Sequence, residues 1–145
     1  MTTTLRTFPA AFLLCLLLGG CASVDTKVER AEDLARVQRF FVIANANDSR
    51  ALDRHLVNAL RARGLTAEFG PRTMIPDDTQ AVITYQDSWT WDFGDRLMYL
   101  EVTARDVQSR QPLGLMQYRA KIPGRQPVGE IITDLVTRLF TPAKR

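Results

Sequence analysis

Residues 81–104, AVITYQDSWTWDFGDRLMYLEVTA, constrain the fold more than any other stretch. Ile83, Tyr85, Trp89, Trp91 and Phe93 fall on one face, and Val82, Thr84, Gln86, Ser88 and Thr90 on the other. A period of two is the side-chain period of a strand, so this is a strand with one buried face. Gly94-Asp95 follows, and a Gly-X pair suits a two-residue hairpin turn. On the return, Met98, Leu100, Val102 and Ala104 form the apolar set. A two-residue loop pairs Phe93 with Arg96. That sets Trp91 opposite Met98, Trp89 opposite Leu100 and Tyr85 opposite Ala104, so turn and pattern specify the same register.

A second turn is expected at 108–112, and Met116, Tyr118, Ala120 and Ile122 mark a third strand. Setting Ala104 against Met116 and Val102 against Tyr118 also brings Glu101 opposite Arg119, an opposite-charge pair. These registers leave Leu97, Tyr99, Val107, Leu113 and Leu115 on the outward sheet face. Upstream, FFVIAN at 40–45 is a continuous apolar run that fits a strand covered on both faces. Asn47, Asp48 and Ser49 offer helix N-caps. Leu52, Leu56, Ala59 and Leu60 then make one helical face, and Gly64 stands where a helix C-terminal glycine belongs, which predicts a helix over 49–63. Leu65, Ala67 and Phe69 suggest a short strand, and the prolines and acidic pair of 70–78 a loop. Pro127 opens a last helix over 127–140, with Val128, Ile131, Ile132, Leu135, Val136 and Leu139 at helical spacing. The order is β-α-β-β-β-β-α. It predicts an α+β two-layer sandwich: a mostly antiparallel sheet of four to five strands with two helices on one face.

The chain's start gives an address. MTTTLRT carries one charge, Arg6, and FPAAFLLCLLL at 8–18 is apolar without a charge. That is the length of a signal-peptide core, well short of the ~20 residues a membrane-spanning helix needs. Gly19 and Gly20 supply small residues, and Cys21 follows. Leu18-Gly19-Gly20-Cys21 resembles the lipobox of bacterial lipoproteins. The resemblance implies removal of residues 1–20 and attachment of diacylglycerol to Cys21, with a further acyl chain such as palmitate on the new amine. At ~0.8 kcal/mol for each buried methylene, three chains amount to permanent attachment. Ala22 in place of Asp implies, by the same resemblance, the periplasmic face of the outer membrane. Residues 22–38, polar and without an aromatic, read as a tether, with Val28, Ala31, Leu34 and Ala35 as a thin helical stripe. The expected organisation is leader 1–20, lipidated Cys21 and tether to 38, a single domain over 39–141, and a short tail at 142–145.

Cysteine usage agrees. Cys15 leaves with the leader and Cys21 is taken by lipid, so the mature chain has no internal disulfide and folds by packing alone. The formal net charge of +3 is small, and the basic residues are scattered without a run, which argues against a nucleic-acid partner.

The stretch from RFFVIANANDSRALDRHLVNALRARGL through VITYQDSWTWDFGDRLMYLEVTARD resembles a family of small, uncharacterised proteobacterial lipoproteins. The shared features are an early strand, a helix ending in LRxxG and a strand close to YxDxWxWD. The layout is also similar in outline to accessory lipoproteins of envelope assembly, including the lipopolysaccharide-assembly lipoprotein, a likeness of fold alone.

Candidate chemistry is sparse. The one histidine, His55, lies on the first helix with no second His and no free Cys to complete a metal site. Ser49 and Ser88 have no nucleophile motif around them. Asp87 points by parity toward the apolar face. There it is a raised-pKa acid, a structural carboxylate held by a hydroxyl or an Arg, or a residue at the sheet edge. Trp89 and Trp91 read as core before they read as a ligand-stacking pair, and Asp77-Asp78 as an exposed turn before a cation site. No cofactor is expected. The expectation is a non-enzymatic, membrane-anchored binding module in envelope assembly or transport, meeting an envelope protein through the outward patch Val107, Leu113 and Leu115. The alternative is a carrier or sensor of a small apolar ligand held between helices and sheet, and an enzyme using Asp87 is a third reading.

Overall fold

The computed structural model describes residues 22–91, 94–122 and 124–141. The leader, Cys21, the turn partner Phe93 and the tail 142–145 lie outside the described residues. Six strands form one sheet: β1 (Ala22–Val28), β2 (Arg39–Ile43), β3 (Thr66–Gly70), β4 (Ala81–Thr90), β5 (Arg96–Asp106) and β6 (Pro112–Ala120), in the spatial order β1-β6-β5-β4-β2-β3. Three helices accompany it: α1 (Ala31–Arg36), α2 (Leu52–Ala62) and α3 (Val128–Phe140), with a single 3-10 turn at Arg72–Met74.

This corrects the expected fold class. The sheet is mixed, because β2 runs parallel to both β3 and β4, while β1, β6, β5 and β4 are antiparallel neighbours. The reason lies in the connections. Helix α2 carries the chain back along the sheet after β2, so β3 enters in the same direction. The sixth strand and third helix come from the segment read as a tether. Ala22, Val24, Thr26 and Val28 alternate with Ser23, Asp25 and Lys27, and the first set pairs with Ala120, Tyr118, Met116 and Gly114. Such an edge strand buries one thin face, so its composition stays polar.

The helices cover one face. Leu52, Leu56, Leu60, Ile132, Leu135 and Leu139 meet Val42, Ile83, Leu100, Val102 and Met116 in one core, with Leu34 of α1 at its border. Gly114 is required by this packing, since a Cβ there would stand 2.5 Å from Leu139 Cδ1. Phe40 meets Phe140 edge to face at 5.9 Å between ring centroids. On β2 the opposite face is covered too: Phe41 is only 3% exposed, its ring against Gly70 at the end of β3.

The start of α2 is fixed from a distance. Ala51, the residue before it, is left-handed with φ 55° and has no capping side chain. Asp48 does the capping instead. Its Oδ2 accepts the Leu52 N–H at 2.7 Å and the Asp53 N–H at 3.4 Å, and its Oδ1 the Arg50 N–H at 2.8 Å. The Tyr85 hydroxyl donates to the same Oδ2 at 2.8 Å, bolting the helix start to β4. Burial alone would raise this carboxyl's pKa, but the hydrogen bonds from Arg50, Tyr85, Asp53 and Leu52 outweigh it, and the net shift is downward. Burial first, then the neighbouring Asp48, holds the Tyr85 phenol well above its ordinary range.

Both hairpin registers differ from expectation by two residues over most of their length. Tyr85 pairs with Val102 and Ile83 with Ala104; Val102 pairs with Met116, Leu100 with Tyr118 and Glu101 with Gln117. A shift of two preserves the faces. Two irregularities do not. A bulge at Ser88/Trp89 sets Trp89 against Leu97 and Thr90 against Arg96, so the connection takes five residues, not two. Leu97 is thereby turned inward and buried, and Trp91, expected in the core, is exposed. A second bulge at Ala104/Arg105 pairs Arg105 with Pro112 and turns Leu113 inward.

Candidate functional site

The sheet face opposite the helices carries the side chains of Val82, Thr84, Gln86, Glu101, Thr103, Arg105 and Gln117. Toward the Ala22 end it is polar and tied together. The Tyr99 hydroxyl donates to Glu101 Oε2 at 2.6 Å, Gln117 Nε2 donates to the same oxygen at 2.7 Å, and the Arg119 guanidinium lies 5.2 Å from the Tyr99 ring centroid. The hydrogen bond from Tyr99, then that from Gln117, holds the Glu101 carboxyl below its usual range.

Toward the other end the face becomes a groove of about 720 Å3. Ile43, Ile75, Val82 and Val107 give it apolar surface, and Arg72, Arg105 and Arg110 bring three guanidiniums. One wall is the 3-10 turn after β3, the other the β5–β6 turn. That turn is shaped by Asp106, whose Oδ1 accepts the Ser109 N–H at 2.7 Å and the Ser109 hydroxyl at 2.9 Å. These two bonds lower the Asp106 pKa and occupy its Oδ1. Among the described residues none of the three arginines takes part in an ion pair, although Arg39, Arg50 and Arg138 each hold an aspartate. The groove can therefore offer planar, forked donors beside apolar surface, the combination that receives a carboxylate-bearing chain.

Of the expected patch, Val107 lines this groove and Leu115 lies half-buried on the same face, paired with Thr103. Leu113 is 0% exposed and contributes nothing to an outward surface. No hydrophobic period could have revealed the groove, because Arg72 and Arg110 come from turns. Asp87 is held by the Trp89 indole N–H at 2.6 Å. Trp89 in turn packs on the core, with Arg50 stacked 4.4 Å from its ring centroid and paired to Asp95 at 2.8 Å. His55 stands where α2 meets α3, against Gly129. Among the described residues no cluster of His, Cys, Asp and Glu has the makings of a metal site, and no helix is long and apolar enough to cross a membrane.

On the helix side, a hollow of about 340 Å3 lies below the start of α3, lined by Asp95, Arg96 and Arg125 as well as Leu97 and Ile131. A smaller, apolar one of about 100 Å3 lies between α1 and α3.

No protein-family model matches the chain, and no curated protein matches it. Among solved structures it is similar to the PelC dodecamer from Paraburkholderia phytofirmans, at 17% identity over 83% of this chain and 95% of that one, with a TM-score of 0.59. A single-substitution variant of that dodecamer in another crystal form matches at 16% identity and the same TM-score of 0.59, over 83% of this chain and 96% of that one. A PDZ domain protein from Parabacteroides distasonis matches at 10% identity over 94% of this chain but 40% of its own, with a TM-score of 0.53. At such identities the likeness is one of fold alone.

Proposed function

We propose that the chain is a lipid-anchored periplasmic accessory protein that works by binding, not catalysis, and that the groove on its uncovered face holds an acidic, partly apolar segment of an envelope partner. The anchor rests on Leu18-Gly19-Gly20-Cys21, and placement at the outer membrane on Ala22 after it. The observation that carries the binding role is the set of three guanidiniums that, among the described residues, have no ion-pair partner, around apolar surface in a groove of about 720 Å3. That volume lies within the ~300–1,000 Å3 typical of ligand sites. A small apolar ligand between helices and sheet is less well supported, because the hollow of about 340 Å3 below α3 is lined by Asp95, Arg96 and Arg125 as well as Leu97 and Ile131, and the apolar one between α1 and α3 measures about 100 Å3.

The test uses a photo-crosslinking residue at Thr84 in intact cells. A crosslinked band should form in the parent chain and disappear when Arg72→Glu, Arg105→Glu and Arg110→Glu are combined, with circular dichroism unchanged. A band that persists through all three reversals excludes the groove. A second reading, self-assembly, is favoured by the dodecameric neighbour and by the open edge of β1. Sedimentation of the acylated protein in detergent distinguishes the two.

A further inference from the structure

One rung, Ser88–Tyr99–Arg119–Ser23, runs straight across β4, β5, β6 and β1. Beyond it, every chain segment leaves by the same end of the sheet. Cys21 lies two residues past Ser23, Ile122 three past Arg119, and Trp91 three past Ser88. At ~3.3 Å per residue Trp91 and Ile122 fall within about 10 Å of the rung, on strands two spacings of ~4.8 Å, roughly 10 Å, apart. Trp91 is 86% exposed and Ile122 62%. Two exposed apolar side chains would need no explanation by themselves. These two lie at the end of the sheet where β1 begins with Ala22, the residue that follows Cys21 in the chain. Exposed Lys121 and Arg125 stand beside them. Arg96 fastens the segment after β6 by donating to the Gly124 carbonyl at 2.7 Å. Of the nearby acids, Asp95 is paired to Arg50, and Asp92 follows Trp91 in the chain.

We propose that this end of the domain rests on the bilayer, with Trp91 and Ile122 in the boundary between headgroups and acyl chains and Lys121 and Arg125 among the lipid phosphates. The inference rests on acylation of Cys21. Tryptophan suits this boundary because its ring is apolar and its N–H needs a wet partner. A lipid on one residue holds a domain near a membrane without orienting it; two further contacts roughly 10 Å apart make a footing. The orientation has a consequence for the groove. Val82 lies six residues before Ser88 on β4, about 20 Å further from the lipid at ~3.3 Å per residue, so the groove is turned toward the periplasm.

The acylated protein, reconstituted into phosphatidylethanolamine–phosphatidylglycerol vesicles with acyl chains brominated close to the headgroup, tests this. Wild-type emission should shift to shorter wavelength and lose most of its Trp91 component to the bromine. Trp91→Phe should leave only Trp89, whose emission bromolipid does not change, and Ile122→Ser should weaken the Trp91 quenching. Mass spectrometry of the N-terminal peptide reports the lipid independently. If Cys21 carries lipid while Trp91 stays open to aqueous acrylamide and unquenched by bromolipid, the footing is wrong and the anchor stands. If Cys21 carries none, the anchor reading itself fails. If Trp91 becomes protected with rising protein concentration in lipid-free detergent solution, the surface belongs to a second copy and the proposal is overturned.

Discussion

The two faces of the sheet are built from the same strands and carry opposite chemistry. Under the helices, Val42, Ile83, Leu100, Val102 and Met116 have no exposed surface. On the other face, the intervening positions are Thr84, Gln86, Glu101, Thr103 and Gln117, with Gln117 and Tyr99 donating to Glu101, and Phe41 buried against Gly70 of β3. The first face holds the fold, since a domain with no disulfide depends on the area it removes from water. The second face contributes little to that and is free to display guanidiniums that a core would not tolerate unpaired. The comparison teaches that the packed core and the groove's surface occupy alternate residues of the same strands, so a substitution on the groove face should spare the stability that one in the core removes.

The largest effect that could break this picture belongs to α3. Leu135 is fully buried between helix and sheet. Leu135→Ala should lower unfolding free energy by about 2–5 kcal/mol, measured by urea denaturation. A loss below about 1 kcal/mol would mean the helices are loosely applied and the two faces are not so different.

Asp48 comes next, because it joins α2 to β4 through a polar group at the edge of the same core. Asp48→Asn should cost about 1–3 kcal/mol at neutral pH, since it weakens charge-assisted bonds to the Leu52 and Arg50 N–H groups. The pH dependence has a definite sign. The folded carboxyl titrates below its ordinary value of 3.8, so the unfolded chain takes up the proton first. The contribution is fully present above about pH 4 and is lost as pH falls through the folded value. Parent and variant stabilities should therefore converge in acid. A constant gap from pH 7 to pH 2 would show that the carboxylate's charge is not what holds the helix start.

How far the sequence speaks differs between the two faces as well. Between residues 81 and 88, and again between 99 and 104, alternation identified which side chains point inward, because a register error of two leaves the faces unchanged. Leu97 and Leu113 were misplaced because a bulge adds one residue to β5 at Met98 and one to β6 at Leu113, exchanging inside for outside, whereas Trp91 was misplaced because β4 ends at Thr90. Nothing in SWTWDFGD or RQPLGL announces such an insertion, while Gly94-Asp95 signals a tight turn strongly. β1 carries an alternation of Ala22, Val24, Thr26 and Val28, but its polar composition reads as a tether, and Val28 also fits a thin helical stripe with Ala31, Leu34 and Ala35. The groove was out of reach except for Val107. Two of its arginines, Arg72 and Arg110, come from turns separated in sequence, and only the mixed topology, which sets β2 beside β4, brings Ile43 alongside Val82 and Thr84.

The smallest expected effect sharpens the comparison most, because it applies one chemical change to both faces. Val42 and Val82 occupy adjacent strands, β2 and β4, and both are β-branched. Val42 is 0% exposed under the helices, and Val82 is half-buried on the floor of the groove. Valine to threonine keeps the branching and nearly the volume, and adds one hydroxyl, so strand preference is held constant while the demand for a hydrogen-bond partner changes. At Val42 the hydroxyl is cut off from water, and Val42→Thr should cost about 1–3 kcal/mol. At Val82 water in the groove satisfies it, and Val82→Thr should stay within about 0.5 kcal/mol of the parent. Equal losses at the two sites, read from matched denaturation curves, would mean the groove is closed and dry in solution. The arginines around it would then be structural, and the acidic partner would have to bind elsewhere.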